Sequence, residues 1–231
     1  MISIIIPSYN SAKSLPRTLE SIFSQSVKDI EIIVVDDGST DATASVLEPY
    51  LERVTYIKQE NRGAPAARNR GFRESHGEFV LFCDADMILD SRMLEKFLDV
   101  LEKHPETSFV YSAFRWGWKI FSSFPFDSEK LKKMNYIHTS ALIRREHFCG
   151  FDESLKKFQD WDLWLTMSEK GYVGVYTPEV LYTIIQTKGT MSSWLPSFMY
   201  RIPWKKFGIR ITAVEKYETF KKIIFQKHTL E

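Results

Sequence analysis

FVLFCDADM, residues 79–87, sets five apolar side chains in a row against two aspartates separated by one alanine. A near-continuous apolar run of that length suits the central strand of a parallel sheet, covered on both faces. Functional groups in open α/β sheets gather just past the carboxyl ends of such strands, and Asp84 and Asp86 stand there. Two carboxylates so close repel each other unless a partner lies between them. Turn formation is the ordinary use of aspartate after a strand. The chemical use is a hard divalent cation, Mg²⁺ or Mn²⁺, which takes oxygen ligands and completes its shell with substrate phosphates and water. Such an ion would neutralise the charge on a departing diphosphate.

Outward from this run, the first half of the chain repeats one rhythm. Residues 2–6 and 31–35 are short β-branched apolar runs, and each is followed by apolar residues at helical spacing: Leu15, Leu19, Ile22 and Phe23 after the first, and a helix over 41–51 after the second. Residues 54–58 predict a third strand. The alanine-rich stretch from Gly63 predicts a helix with Pro65 in its first turn, where a missing N–H costs nothing. Residues 78–83 form the fourth strand, and Ser91 is placed to cap a helix that ends at His104-Pro105. Alternating strands and helices are the signature of a parallel sheet. Beyond Tyr111 the rhythm changes. FRWGWKIFSSFPF at 114–126 reads as a strand plus a loop, 136–144 as a returning strand, 160–170 as an amphipathic helix, and 172–176 and 180–185 as two strands. We expect an α/β domain over residues 1–190 and an aromatic, basic extension over 191–231, in which Pro196 and Pro203 break the pattern of any single long amphipathic helix.

Charge and cysteine content exclude several classes. The 231 residues carry 31 lysines and arginines against 30 acids, so the whole molecule is no electrostatic partner for nucleic acid. From Trp194 onward, however, eight basic residues face three acidic ones. Cys83 and Cys149 are the two cysteines; Cys83 lies in an apolar run where a thiol behaves as a small hydrophobe, and a buried free cysteine rather than a disulfide fits a reducing compartment. Residues 2–6 are too short for a secretory leader and lack a basic region before them, and no run of 18 apolar residues is present. A cytoplasmic location is therefore expected. Neither G-x-G-x-x-G after an early strand nor a G-x-x-x-x-G-K-[ST] loop occurs, which removes the dinucleotide-fingerprint and P-loop classes. No G-x-S-x-G elbow and no histidine–cysteine cluster is present.

Three strand ends converge on one sheet edge: Pro7-Ser8-Tyr9-Asn10, Asp36-Asp37-Gly38-Ser39 and Asp84-Ala85-Asp86. A carboxylate at Asp36 or Asp37 opens the next helix or accepts hydrogen bonds from a nucleobase or ribose. Arg68 and Arg70, two apart on a helix, face different directions, so one of them can offer its guanidinium fork to a diphosphate. Asp160 and Asp162 are either a helix-capping acid and a first-turn acid beside exposed amides, or one of them projects into the cleft as a general base for an acceptor hydroxyl; spacing does not choose between these. His138, ahead of Thr139-Ser140, is either packed or in contact with the diphosphate or metal.

With these residues in place, the chain resembles the inverting family 2 glycosyltransferases. The matching pieces are SIIIPSYN (3–10), SIFSQ (21–25), EIIVVDDGSTD (31–41), NRGAPAARNRG (61–71), FVLFCDADM (79–87), GFDE (150–153) and DWDLWL (160–165), in the family's order over about residues 2–187. The resemblance implies a GT-A fold: a Rossmann-like, mostly parallel central sheet flanked by helices, with a small antiparallel portion on the acceptor side. It implies Pro7, Tyr9, Asn10 and Asp37 around the nucleotide, with Asp37 reaching the base. It also implies Arg68 at the diphosphate, Asp84 near ribose and sugar, Asp86 as direct metal ligand beside it in the D-x-D pair, and Asp160 as catalytic base. The activity implied is metal-dependent transfer of a hexose from a nucleoside-diphosphate sugar, UDP-linked, to a glycan or lipid-linked acceptor. A nucleotidyltransferase and an inactive nucleotide-sugar-binding protein are the alternatives. One departure stands out: the family commonly carries Glu-Asp where this chain has Gln159-Asp160. The extension over 191–231 suits either contact with the inner face of the membrane or a homodimer interface.

Overall fold

The computed structural model describes residues 1–185, 202, 204 and 211–230. The chain divides into two compact units, Met1–Gln186 and Thr187–Glu231. The first unit alternates β1 (Ile2–Ser8), α1 (Leu15–Phe23), β2 (Ile30–Asp36), α2 (Thr43–Leu47), β3 (Thr55–Lys58), α3 (Ala64–Glu74) and β4 (Phe79–Phe82). It continues through β5 (Met87–Leu89), α4 (Met93–Lys103), β6 (Phe109–Trp116), β7 (Lys119–Phe121), α5 (Ser128–Lys133), β8 (Leu142–Arg144), α6 (Gln159–Glu169) and β9 (Gly174–Ile184). The strands form one sheet in the order β3-β2-β1-β4-β8-β6-β9-β5, with β7 paired to β6. Strands β3, β2, β1 and β4 are parallel. Strand β8 is antiparallel to both β4 and β6, so β6 runs in the direction of β1, and β9 runs parallel to it. Strand β5 opposes β9. This is the expected α/β sheet, mostly parallel with a smaller antiparallel portion.

The alternation of β1 explains its layers. Ile2, Ile4 and Ile6 are buried with Leu15, Leu19 and Ile22 of α1 on one face. Ile33, Val35 and Ala67 pack together on the other, under α3. Helix α3 sits so close there that a Cβ on Gly71 would come within 2.4 Å of Ile5 Cγ2. Pro7 is accommodated because pairing of β1 with β4 ends at Ile5 and Phe82. Ile5 O accepts from Cys83 N and Ser8 O from Asp37 N, so position 7 faces the β4 side, where no partner needs its missing amide.

Several local expectations change. The helix over 41–51 is α2 followed by a 3₁₀ turn, Glu48–Tyr50, because Pro49 cannot donate to the preceding turn. Ser91 does not cap α4. Asp90 Oδ1 accepts from Arg92 N (3.0 Å) and the fully buried Gln25 Oε1 from Leu94 N (3.1 Å). The returning strand shrinks to β8, since Ser140 N donates to His138 Nδ1 and Ala141 N to Thr139 O, local bonds that remove ladder donors. The two strands expected at 172–185 are one, β9. Its register against β6 jumps from Thr177 to Val180, leaving Pro178 and Glu179 as the irregularity. The second unit contains α7 (Thr212–Lys227), a helix beginning past both prolines. The aromatic stretch expected at 194–204 lies outside the described residues except for Ile202 and Trp204.

Candidate active site

The ends of β1 and β2 are tied together by side chains. Asn10 takes a left-handed backbone (φ 52), and its Oδ1 accepts from Thr40 N (2.8 Å) and Asp41 N (3.2 Å) while its own N donates to Ser39 Oγ (2.9 Å). Asp36 accepts from Ser39 N (2.8 Å) and from the Tyr56 hydroxyl (2.7 Å). Burial and this carboxylate push the Tyr56 hydroxyl up to about 12. Asp37, 3% exposed, accepts from Gln59 Nε2 (2.7 Å), Arg62 N (2.9 Å) and Gly63 N (2.7 Å). The residue expected at the base thus also fixes the loop that opens α3. Tyr9 stands half exposed beside them, and Pro7 is partly buried.

Helix α3 begins at that loop. Gly63 takes φ 92 to enter it, and the helix carries Arg68 inward, 6% exposed. Arg68 Nη2 donates to Asp84 Oδ1 at 2.7 Å and Nη1 to Gln159 Oε1 at 3.2 Å, with the guanidinium 5.3 Å from the Phe151 ring centre. Its Nε is buried without a hydrogen-bond partner. Arg70 faces outward and pairs with Glu74. Gln159 Nε2 in turn donates to Leu155 O (3.0 Å), which fixes the amide's orientation. The substitution for glutamate therefore keeps an acceptor for Arg68 while removing a negative charge.

Asp84 and Asp86 differ sharply. Burial disfavours the Asp84 charge, but the Arg68 guanidinium overrides it and holds this carboxyl below the usual carboxylate range. Burial and then the Asp84 charge push the Asp86 carboxyl up to about 7. A backbone hydrogen bond offsets part of this shift, and no cationic side chain among the described residues contributes to it. Among the described residues, no group of three or more histidine, cysteine and carboxylate side chains could hold a metal ion. A two-carboxylate donor set, one member already engaged by Arg68, fits Mg²⁺ or Mn²⁺, which rely on substrate phosphates and water for their remaining ligands.

Asp160 lies in the first turn of α6, where Phe158 (φ 60) is the N-cap and Asp160 Oδ1 accepts from Trp161 N (2.9 Å). His138 stands within electrostatic reach of Asp84, Asp160 and Arg68, its ring against Phe114 (5.0 Å) and Tyr182 (5.6 Å). Burial, acting against the two carboxylates, lowers the His138 pKa and favours the neutral ring. With Nδ1 accepting from Ser140 N (3.3 Å), the proton of that neutral ring sits on Nε2. The structure thus gathers Arg68, Asp84, His138, Gln159 and Asp160, with Arg68 and Gln159 bonded across 91 residues. Sequence reasoning left Gln159's bond to Arg68 unseen. Its signal was an amide standing where the family has an acid.

Comparison with known proteins agrees with this architecture. The glycosyl transferase family 2 pattern matches residues 3–155. Chondroitin synthase of Escherichia coli is 31% identical over 189 residues, covering 74% of this chain and 27% of that protein. An uncharacterized glycosyltransferase of Haemophilus influenzae is 31% identical over 185 residues, covering 74% and 63%. The chain therefore spans less than two thirds of the length of either relative. Among solved structures, S. aureus TarS 1-349 in complex with UDP superposes with a TM-score of 0.67 at 22% identity, over 80% of this chain and 60% of that one. The mannosyltransferase PcManGT from Pyrobaculum calidifontis, in complex with GDP-Man and Mn²⁺, gives 0.66 at 23%, over 81% and 58%. These two share the fold, a GT-A arrangement. By the family pattern over residues 3–155 and by relatives 31% identical over three quarters of its length, the chain belongs to glycosyl transferase family 2.

Proposed function

We propose that the chain moves a hexose from a UDP-linked donor onto a hydroxyl of a glycan or lipid-linked acceptor, with inversion at the anomeric carbon and with Mn²⁺ or Mg²⁺ required. The observation that carries this reading is the buried Arg68 fork, which binds Asp84 past β4 and Gln159 at the start of α6, one residue before Asp160. That fork supports a single site joining donor and acceptor chemistry. Asp160 takes the acceptor hydroxyl's proton as its oxygen bonds to the anomeric carbon. The bond from that carbon to the diphosphate oxygen breaks, and its electron pair leaves with the diphosphate. When bound, a divalent cation would neutralise charge on that leaving group. Asp86 is the residue to hold it, assisted by the Asp84 oxygen that Arg68 does not engage. Arg68 keeps Asp84 ionised and in place, and its unpartnered Nε supports a diphosphate nearby. Pro7, Tyr9, Asn10 and Asp37 stand at the strand ends on the nucleoside side. The UDP and UDP-GlcNAc complexes of TarS favour uridine, and the Mn²⁺ complex of the mannosyltransferase favours the cation.

Calorimetric titration with UDP, GDP, CDP and dTDP, each with and without Mn²⁺, tests the donor side. Binding of UDP only with metal is expected, and selective binding of another base would overturn the uridine assignment. Asp160→Asn is expected to abolish transfer while keeping UDP binding. Transfer retained by a folded Asp86→Ala variant would refute the metal assignment.

A further inference from the structure

We propose that the β6–β7 hairpin and α5 form a docking surface for an anionic lipid bilayer. In the hairpin Phe114 pairs with Phe121, Arg115 with Ile120 and Trp116 with Lys119, so the loop is Gly117-Trp118 alone. Gly117 takes φ 59, the positive value that tight hairpin turns require. The turn throws Trp118 outward, 87% exposed. Facing residues of a strand pair share one side. Ile120, 46% exposed, therefore lies beside Arg115, while the stacked Phe114 and Phe121 rings (5.1 Å) occupy the opposite side. Phe124 and Met134 are also exposed. Of eight well-exposed large apolar side chains among the described residues up to 185, four fall within residues 118–134.

Cations interleave with these rings. Lys119 Nζ lies 4.7 Å from the Phe121 ring centre and Lys130 Nζ 3.6 Å from that of Phe124. Residues 115–134 hold five cations and two acids, whereas the rest of residues 1–193 hold eighteen cations and twenty-five acids. Of the two acids, Asp127 caps α5 and Glu129 pairs with Lys132. Residues 115–134 are thus a basic, apolar stretch in an otherwise acidic sequence. A glycan platform would surround its ring with carboxylates and amides to meet hydroxyls. Here the exposed tips are apolar and two lysine ammonium groups lie over rings, the chemistry that places rings at a headgroup layer and cations against lipid phosphates. Strand β6 runs with β1 and β4, so the hairpin leaves the sheet edge that carries Asp84. At its root Phe114 stacks on Tyr182 (5.3 Å) and meets His138. Docking does not depend on the transfer reading. Its use in presenting a membrane-held acceptor does.

Flotation of the full chain with vesicles tests the surface. The chain should float with phosphatidylcholine vesicles containing about one third phosphatidylglycerol, lose binding in high salt, and stay unbound on phosphatidylcholine alone. The double variant Trp118→Ser, Ile120→Ser changes exposed side chains, so its circular dichroism should be unchanged while anionic-vesicle binding falls at least about tenfold. No flotation of the unaltered chain would overturn the proposal. So would equal flotation of the double variant, which would put attachment on another surface. Trp118-dependent self-association, or saturable quenching of Trp118 by a soluble oligosaccharide, without vesicle binding would equally overturn it. Flotation that persists in a chain shown to lack sugar transfer sinks the transfer reading and leaves docking intact.

Discussion

Arg68→Met keeps the stem of the side chain and removes its guanidinium, which isolates the contribution of the fork at the candidate site. Lost are the 2.7 Å ion pair with Asp84 and the 3.2 Å bond to Gln159. Breaking a fully buried pair by removing one partner costs about 3–5 kcal/mol. The Asp84 side chain is 31% exposed, so water recovers part of this and leaves about 2–3 kcal/mol for the pair. The stranded Gln159 carbonyl adds about 0.5–1 kcal/mol. A loss near 3 kcal/mol in urea unfolding at pH 7 is therefore expected, equivalent to roughly 6–12 °C in Tm for a unit of this size. In a double-mutant cycle with Asp84→Asn, about 2 kcal/mol of coupling should appear. The pH dependence has a definite sign. Asp84 titrates below its ordinary value in the folded chain, so its contribution is complete above the unfolded pKa of about 4 and is lost as pH falls through the folded value. The gap between the two proteins should be full at pH 7 and should close below about pH 4. A variant within about 0.5 kcal/mol of the parent at pH 7, or additivity with Asp84→Asn, would refute the reasoning.

Asp37→Ala should destabilise by about 2–3 kcal/mol, because two backbone amides and Gln59 lose their acceptor. If instead nucleotide affinity falls with stability unchanged in chemical denaturation, the loop-fixing role is wrong. Gly71→Ala puts a methyl 2.4 Å from Ile5 Cγ2 and should lift α3 from β1, at a cost of about 1–3 kcal/mol in Tm or urea measurements. An unchanged Tm would show that the close approach is not required. Glu31 accepts from Ser3 Oγ (2.6 Å) and Gly77 N (2.9 Å), and although burial opposes its charge, these bonds and those of His76 lower its pKa. Its stabilisation is present above the unfolded value of about 4.3 and disappears as pH falls through the folded one. Glu31→Gln should therefore flatten the acid-side loss of stability between about pH 5 and 3, and an unaltered acid profile would count against it.

The sequence by itself determined the left half of the sheet and the identity of its strand ends. Strands such as 2–6 and 31–35 declare themselves through consecutive β-branched residues, and a parallel sheet with helical crossovers has one economical arrangement for them. The same local chemistry exposed Asp84 and Asp86, since two acids after an apolar strand are legible without knowing any distant neighbour. What only tertiary structure decided depends on contacts across long separations. Arg68 meets Gln159 across 91 residues, so the neutral amide's use as an acceptor was written in neither segment, and helical spacing alone did not choose the inward Arg68 over Arg70. Strands β6 and β9, 65 residues apart in register at Phe109 and Gly174, pair through a fold that must already exist around them, which is why one bulged strand read as two. His138 is similar: its place within electrostatic reach of Asp84 and Asp160 follows from a turn that uses up the amides of an expected strand. Local periodicity reports which face of an element is apolar. The electrostatic environment of a side chain is a sum over neighbours that only the closed fold assembles.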